Sequence, residues 1–329
     1  MKVPTRAVVY FGVVVAALCC RTAGGQGTIA AQRRIAYESG RGSMAVRAAL
    51  NGDLYVLNRE DKCVWVFDSA GSSRGHISSV GQGPADLLEP ADLAVDRGGN
   101  AVVGDLGGAI KVFDPSGKLI SFFPFKMPWH VGVLSDGRML VSGYPSTALI
   151  EVYDKSGKKV GQIGELITQD DDPFRNSVLN MGLIVVDDSD NIYYVFTTRT
   201  TPTVRKYSAS GVLLADWVIK APHFDTFLPQ AQATLVKNKE EGQFGGLRVF
   251  SAAAFDAKTR TLWLASLDHI FSVDDSGQTV RFLTLRQPDL RLIGPSSGLW
   301  VYGNVVVASS MSHGVHQFQL PIAPGNKEE

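Results

Sequence analysis

The sequence predicts an all-β fold, a six-bladed β-propeller with four antiparallel strands in each blade. Three observations support this prediction. A turn motif recurs five times along the chain, and four short strands can be placed around the copies. The composition, with 45% hydrophobic residues and 34 glycines among 329 residues, is typical of a globular protein rich in strands and turns.

The turn motif consists of an apolar or aromatic residue, then usually an Asp, and a Gly three positions after that Asp. Clear copies occupy 66–71, 112–117 and 152–157, and looser copies occupy 206–211 and 272–277. An Asp at this place can accept hydrogen bonds from the amides of the turn, and the Gly supplies a positive φ. Each copy therefore predicts the end of one strand and a tight turn into the next.

Blade two is the clearest of the predicted units. Its strands are 91–95, 101–104, 109–113 and 119–123, a meander of about 33 residues, the size of a propeller blade. Blades one, three, four, five and six begin at residues 44, 129, 182, 250 and 298. Blade six has only three strands in this reading and lacks its outer strand. We expect the N-terminal strand, read within 28–38, to complete blade six, because this closure removes the open edges of the ring.

The N-terminus has the pattern of a secretory signal. Lys2 and Arg6 precede an uncharged run at 7–20, which is followed by small and polar residues. We therefore predict a signal peptide at 1–27, a propeller at 28–320 and a disordered tail at 321–329. The expected location is periplasmic or extracellular, with no transmembrane span once the signal is removed. Cys19 and Cys20 leave a lipid anchor open as an alternative.

The charges argue against one class of partner. The 32 basic and 32 acidic residues give a formal net charge of zero, whereas a nucleic-acid backbone calls for a basic excess. We expect a monomer that binds a protein, a peptide or a glycan.

The stretch from Gly81 to Gly117 carries a resemblance to a known family. Gly81-Gln-Gly-Pro84, the segment at 89–96 and the segment at 99–105 resemble the NHL-repeat pattern, and the chain is similar to the bacterial NHL-repeat-like six-bladed β-propellers. The resemblance implies the propeller fold. It does not fix the function, because propellers host lyases, lactonases, scaffolds and receptors.

Two insertions mark one side of the predicted ring. They cover 164–181 and 220–248, the second with a short helix expected within 227–241. Connections between blades lie on one face of a propeller, so both insertions are expected on the face where the first strands of the blades begin. We call it the insertion face, and we call the opening of the central channel on it the mouth.

Five residues are candidates for ligand binding at this mouth. The candidates at the starts of first strands are Glu89, His130 and Arg248, and those at the ends of second strands are Asn58 and Asp105. Such a set could bind an anionic or polar ligand. The alternative is that these side chains satisfy one another by hydrogen bonds in a wet channel.

The sequence provides no complete catalytic set. The six histidines have no zinc-pair spacing, and no Gly-x-Ser-x-Gly elbow is present. Catalytic residues and metal ligands are therefore left unassigned, with a divalent cation, Ca²⁺ or Zn²⁺, open as a cofactor. The first hypothesis is an exported binding module that uses the insertion face. The alternative is a metal-dependent hydrolase or lyase, lactonase-like or amidoglycolate-lyase-like, with its site at the mouth.

Overall fold

The predicted blades are present as six hydrogen-bonded sheets in the computed structural model, which describes residues 26–35, 40–78, 81, 83–287, 289, 294 and 296–321. Two short strands, β1 (Gln26–Ala30) and β2 (Arg33–Ile35), precede the first blade. The blade strands, in chain order, are β3 (Ser43–Ala48), β4 (Leu54–Asn58), β5 (Cys63–Phe67) and β6 (Ser73–Ile77); β7 (Pro90–Val95), β8 (Ala101–Asp105), β9 (Ala109–Phe113) and β10 (Leu119–Pro124); β11 (Met127–Val133), β12 (Met139–Tyr144), β13 (Ala148–Tyr153) and β14 (Lys159–Glu165); β15 (Gly182–Val186), β16 (Ile192–Phe196), β17 (Thr203–Tyr207) and β18 (Leu213–Val218); β19 (Ala252–Asp256), β20 (Thr261–Ser266), β21 (His269–Val273) and β22 (Thr279–Arg286); and β23 (Gly298–Tyr302), β24 (Val305–Ser310) and β25 (Gly314–Gln319).

The first strands of the blades form the inner wall of a closed ring. Each of β3, β7, β11, β15 and β19 contacts the first strand of the next blade, and β23 of blade six contacts β3 of blade one. Buried apolar clusters lie between neighbouring blades. One of them packs Leu57 and Val64 of blade one against Leu93 and Phe113 of blade two. The core is therefore divided among the interfaces between blades, and it holds the mouth in a fixed shape.

The repeated motif forms the turn that its sequence predicts. Asp114 Oδ1 accepts hydrogen bonds from the amides of Ser116 at 2.9 Å and Lys118 at 3.0 Å. Gly117 has a φ of 86°, which a residue with a Cβ rarely adopts. The same carboxylate-to-amide bonds recur at Asp154 and Asp274. The Ser116 hydroxyl and the turn amides lower the pKa of Asp114, so the turn carboxylate is charged at neutral pH.

The N-terminal closure of the ring is confirmed, with one correction. β2 pairs antiparallel with β25 and completes blade six, with Ile35 opposite Val315. The predicted single strand within 28–38 is wrong in its extent, because its first part, as β1, pairs parallel with β22 and adds a fifth strand to blade five. The chain changes blade at Ala31 and Gln32, whose amides donate to Arg286 and to Gln317 respectively. The N-terminal segment therefore fastens two blades.

The insertions carry the two helices of the described residues, α1 (Pro173–Leu179) and α2 (Phe224–Glu240). The second was predicted within 227–241, and the first was not. Asp172 caps α1 by accepting from the Arg175 amide at 2.7 Å. Under α2, Phe224, Phe227 and Ala231 are buried in a cluster that includes Phe250, which lies just after the insertion. The two insertions are joined through Asp170, which pairs with Lys239 at 2.9 Å.

The predicted terminal segments fall largely outside the described residues. The predicted signal peptide covers 1–27, of which only Gln26 and Gly27 are described, and both belong to β1. The predicted tail is described only at Pro321. Among the described residues, the helices are too short or too polar to cross a membrane.

Candidate functional site

A cavity of about 560 Å³ occupies the mouth, and all six inner strands or the residues just before them contribute to its wall. The charged and imidazole side chains of the wall are Arg47, Arg59, Asp92, His130 and Arg248. Its apolar part includes Trp129 and three methionines. The volume falls within the range of about 300–1,000 Å³ that is common for small-ligand pockets.

Irregular pairing at the start of three inner strands shapes this wall. In blades one, two and three, the register between the first and second strands shifts at Met44, Ala91 and Trp129. An extra residue of this kind bends a strand and changes the direction of the side chains beside it. All three residues line the cavity, so the shifts occur at the ligand-accessible wall.

Asp92 on β7 and His130 on β11 form a buried pair across the interface between blades two and three. His130 Nδ1 lies 3.2 Å from Asp92 Oδ2, and the Val131 amide donates to the same oxygen at 3.2 Å. Asp92 Oδ1 accepts from the Leu93 amide at 2.8 Å and from Arg47 at 3.2 Å. The carboxylate therefore fixes the orientation of the imidazole ring through its Nδ1 atom.

Asp92 is charged despite its burial. Burial opposes ionisation, but the positive charge of Arg47 and the hydrogen bond from His130 together hold the pKa of Asp92 below its ordinary value. An ionised Asp92 accepts a hydrogen bond from the N–H at His130 Nδ1, which leaves Nε2 as the ring nitrogen without a proton. That Nε2 atom is buried and has no hydrogen-bond partner among the described residues.

The charge of the cavity wall is positive. Arg47 pairs with Asp92, and Arg59 pairs with Glu89 at the rim. Among the described residues, no hydrogen bond or ion pair reaches the side chain of Arg248. Burial lowers the pKa of Arg248 and the Asp92 charge raises it, and a guanidinium remains protonated at neutral pH in either case. Three guanidinium groups therefore face one carboxylate on this wall.

The predicted candidates divide into three groups. His130 and Arg248 line the cavity together; His130 Nε2 is buried without a partner among the described residues, and Arg248 is exposed. Glu89 lies at the rim, with a side chain 49% exposed, and pairs with Arg59, which does line the cavity. Asn58 and Asp105 are buried and outside the lining.

The hydrogen bonds of Asp105 and Asn58 are structural. Asp105 accepts from the amides of Leu88 at 3.0 Å and Glu89 at 2.7 Å and pairs with Lys111 at 2.9 Å. Burial opposes its ionisation, but the amides of Glu89 and Leu88 hold the pKa of Asp105 below its ordinary value. Asn58 donates to the carbonyl of Arg41 at 2.7 Å. Asp105 therefore holds the segment that enters β7, and Asn58 holds the segment that enters β3.

Sequence reasoning missed Asp92, Arg47 and Arg59. The first two interrupt otherwise apolar inner strands, β7 and β3, and a charge within such a strand was the available signal. Residue type alone does not show that either side chain faces the channel, because the register shifts at Met44 and Ala91 have no sequence mark.

An aromatic ridge, defined as Tyr144, Phe174 and Phe244, lies on the insertion face. The ring centroids of Tyr144 and Phe174 are 5.1 Å apart, and those of Phe174 and Phe244 are 5.0 Å apart, both edge to face. The Arg175 guanidinium lies over the Phe244 ring at 5.5 Å. Phe244 is 53% exposed although it belongs to this cluster. The insertions thus present aromatic surface four residues before Arg248 of the mouth.

The described residues give no support to a metal site or to a serine nucleophile activated by histidine. No group of three or more His, Cys, Asp or Glu side chains within them is arranged to hold a metal ion. His223 Nε2 lies 2.8 Å from Ser266 Oγ, the spacing of a nucleophile and a base. Ser266 is fully buried and the other nitrogen of His223 has no partner, so this pair fastens α2 to blade five.

Comparison with known proteins supports the fold. No protein-family model matches the sequence. Over 94 residues, 28% of this chain, the sequence is 32% identical to the E3 ubiquitin-protein ligase NHLRC1 of Rattus norvegicus and of Mus musculus. The matched part spans about a quarter of the length of these relatives, 24% and 23% respectively. NHLRC1 is an NHL-repeat protein, in agreement with the repeat pattern of this chain.

Three solved structures resemble this one in fold. Hydrazine synthase of Kuenenia stuttgartiensis has a TM-score of 0.55 at 15% identity and covers 86% of this chain and 97% of its own. Streptogramin B lyase has a TM-score of 0.54 at 10% identity and covers 88% and 87%. The β-propeller domain of Cps50 (Swd1) from Myceliophteria thermophila has 0.54 at 11% and covers 87% and 99%. At these identities the likeness concerns the fold alone, and the protein is a six-bladed β-propeller with NHL-repeat similarity in part of its sequence.

Proposed function

We propose that the protein is an exported binding module that recognises a protein or peptide on its insertion face, in the periplasm or outside the cell. The observation that carries the proposal is the partly exposed aromatic ridge on this face. Aromatic side chains beside arginine are enriched at the centres of protein interfaces. The signal-like N-terminus supports the proposed location.

Rigidity of the insertions favours recognition over a moving lid. Lys239 on α2 pairs with Asp170, which lies before α1, and Arg175 approaches the same carboxylate at 3.8 Å. The ridge residues are thereby held in place before a ligand arrives, which reduces the entropy lost on binding.

The experiment selects peptides from a displayed random library on the purified protein and measures their affinity by fluorescence anisotropy. Phe244→Ala should weaken the selected peptides by about tenfold, the loss typical of an interface residue that matters. Phe122→Ala is the matched control, because Phe122 is 57% exposed on the outer strand of blade two. A library that yields no binder, or binders that tolerate Phe244→Ala, would contradict the proposal. Selection of a glycan from a glycan array would instead assign the face to the other ligand class.

A second candidate function is a lyase, favoured by the Asp92–His130 pair. A carboxylate that fixes one ring nitrogen of a histidine and leaves the other free is the arrangement of a general base. Arg248 would stabilise negative charge that develops on a carbonyl oxygen. Streptogramin B lyase shares the fold.

The lyase candidate is tested with streptogramin B and aryl lactones as substrates, followed by mass spectrometry. Ring opening by elimination leaves the mass unchanged, whereas hydrolysis adds one water. His130→Gln should abolish either product, with His76→Gln as the control. Prior dialysis against a chelator tests the metal-dependent form. Turnover that survives His130→Gln would remove this candidate.

A further inference from the structure

We infer that the mouth is a carboxylate-binding site for a ligand with an apolar body, of which the C-terminus of a peptide is the preferred form. The inference adds a ligand chemistry to the proposed binding function, and its choice of a peptide as the ligand rests on that function. It depends on three features of the cavity, namely an unpaired cation, two buried polar atoms without partners, and an apolar wall.

The unpaired cation is Arg248. It is the last residue of the second insertion and lies four residues before β19, the inner strand of blade five. The other two guanidinium groups of the wall already have carboxylate partners in Asp92 and Glu89. Arg248 is exposed at the mouth and has no carboxylate paired with it among the described residues, so its guanidinium is available to an anionic ligand. The planar fork of Arg matches a carboxylate with two parallel hydrogen bonds.

The two buried polar atoms are His130 Nε2 and Ser296 Oγ. Both belong to residues of the cavity wall, and neither has a hydrogen-bond partner in the described part of the chain. His130 is 6% exposed and Ser296 is 0% exposed. Buried polar atoms of native proteins are almost always satisfied, so two exceptions on one wall indicate that a bound group supplies the partner. A carboxylate oxygen can accept from the Ser296 hydroxyl, and the unprotonated His130 Nε2 can accept from an N–H of the peptide.

The apolar wall decides what carries the carboxylate. Met44, Met181 and Met311 lie around the same cavity, together with Trp129. Methionine side chains adapt to ligands of different shape, and Trp provides a flat apolar surface. A small hydrophilic anion would leave these groups in contact with water. The wall therefore favours an aryl or aliphatic body attached to the carboxylate.

The position of the mouth favours a peptide end over a free acid. The mouth and the aromatic ridge share the insertion face and are linked by short stretches of chain, since α1 ends two residues before Met181 of the wall and Phe244 precedes Arg248 by four residues. A peptide whose terminal carboxylate lies in the mouth can continue over the ridge. An internal segment of a chain has no terminal carboxylate to offer to Arg248.

The test compares acids with their own amides by isothermal titration calorimetry on the full chain. One arm uses 3-phenylpropionate and 3-phenylpropionamide. The other arm uses pentapeptides ending in Phe, with a free or an amidated C-terminus. In at least one arm the acid should bind at least tenfold more tightly than its amide. Arg248→Gln should abolish this preference, since it removes an unpaired charge without breaking an ion pair. Arg74→Gln should preserve it, because Arg74 pairs with Asp53 away from the mouth.

The outcomes separate this inference from the proposed function. If acids and amides bind equally in both arms, or if Arg248→Gln keeps the preference, the inference is wrong even where ridge-dependent peptides still bind. If 3-phenylpropionate binds through Arg248 while no peptide binds, the carboxylate site stands and the peptide function fails. Phe244→Ala should leave binding of 3-phenylpropionate unchanged and weaken the pentapeptide. A preference of the pentapeptide over the free acid would identify the peptide C-terminus as the ligand.

Discussion

The Arg33 guanidinium donates a hydrogen bond of 2.9 Å to Gln317 Oε1, although the two residues are 284 positions apart in the chain. This bond reinforces the pairing of β2 with β25, which completes the sixth blade. Ile35, in the same short strand, is 2% exposed and packs in a cluster with Val46 and Phe67 of blade one. The strand that closes blade six is therefore also part of the core between blades six and one.

Ile35→Ala should destabilise the whole ring. Removal of a buried Ile side chain leaves a cavity and costs about 2–4 kcal/mol of unfolding free energy. Urea denaturation followed by tryptophan fluorescence measures the loss. Leu50→Ala is the control, because Leu50 is 80% exposed, and it should change the unfolding free energy by less than about 0.5 kcal/mol. Equal stability of the two variants would contradict the role of β2 in closure.

Two ion pairs at the mouth should differ in their effect on stability. Asp92→Asn removes a charge that is 6% exposed and on which Arg47 and His130 depend, so it should cost about 3 kcal/mol. Glu89→Gln breaks a pair in which both side chains are more than a third exposed, and it should cost less than about 1 kcal/mol. Urea denaturation of both variants at the same pH checks the contrast. A larger loss of stability for Glu89→Gln than for Asp92→Asn would contradict the assignment of Asp92–Arg47 as the structural pair and Glu89–Arg59 as the rim pair.

Stability should fall as the pH falls below neutrality, partly through His223. Burial, with the neighbouring His269, lowers the pKa of His223 from 6.5 to about 4. The unfolded chain therefore takes up a proton at about pH 6.5, whereas the folded chain resists protonation until about pH 4. The contribution of His223 is complete above pH 6.5 and is lost progressively between pH 6.5 and 4.

The measurement is urea denaturation from pH 8 to pH 5. His223→Phe should reduce the slope of stability against pH in this range, because the group that titrates only in the unfolded state is gone. His269, whose pKa is also lowered by burial, leaves a smaller slope of the same sign. His76 is exposed, and His76→Gln should keep the slope of the wild type. An unchanged slope in His223→Phe would show that other groups set the pH dependence.

Asp170→Asn should loosen the insertions without unfolding the blades. The Lys239 ammonium lowers the pKa of Asp170, and the pair joins the segment before α1 to the end of α2. Its loss should increase hydrogen exchange of the amides in α2 and leave β15–β18 unchanged, as seen by mass spectrometry. Asp171→Asn is the control, because Asp171 is exposed and has no ion pair among the described residues. Equal exchange in both variants would mean that packing under α2 holds the insertions alone.

The sequence predicted the fold well because the fold depends on local chemistry. The Asp and Gly of each turn act within a few residues, and they repeat, so Asp114 and Gly117 identify blade two and the same pair identifies its neighbours. The division of the N-terminal segment into β1 and β2 could not be read in this way. Ile29 and Ile35 both have strand-like surroundings, and only their partners, in blades five and six, separate them.

The candidate site was predicted less completely because it depends on contacts between blades. His130 and Arg248 were found from their position at the start of inner strands. Asp92 contacts His130 across 38 positions of sequence, and its direction depends on a register shift at Ala91. Asp105 shows the opposite case, since a carboxylate in the predicted position serves the amides of Leu88 and Glu89. Polar residue type and position alone did not distinguish these two roles.

The pairing of β2 with β25 sets the order in which the protein can mature. A ribosome releases residues 33–35 long before their partners in Gly314–Gln319, because Arg33 and Gln317 are 284 positions apart in the chain. During this interval the first and last blades cannot be joined, and the nascent chain holds an unsatisfied strand at its leading end. Locking of the circle must therefore wait until β25 has been synthesised, and up to that moment the blades made earlier remain an open row.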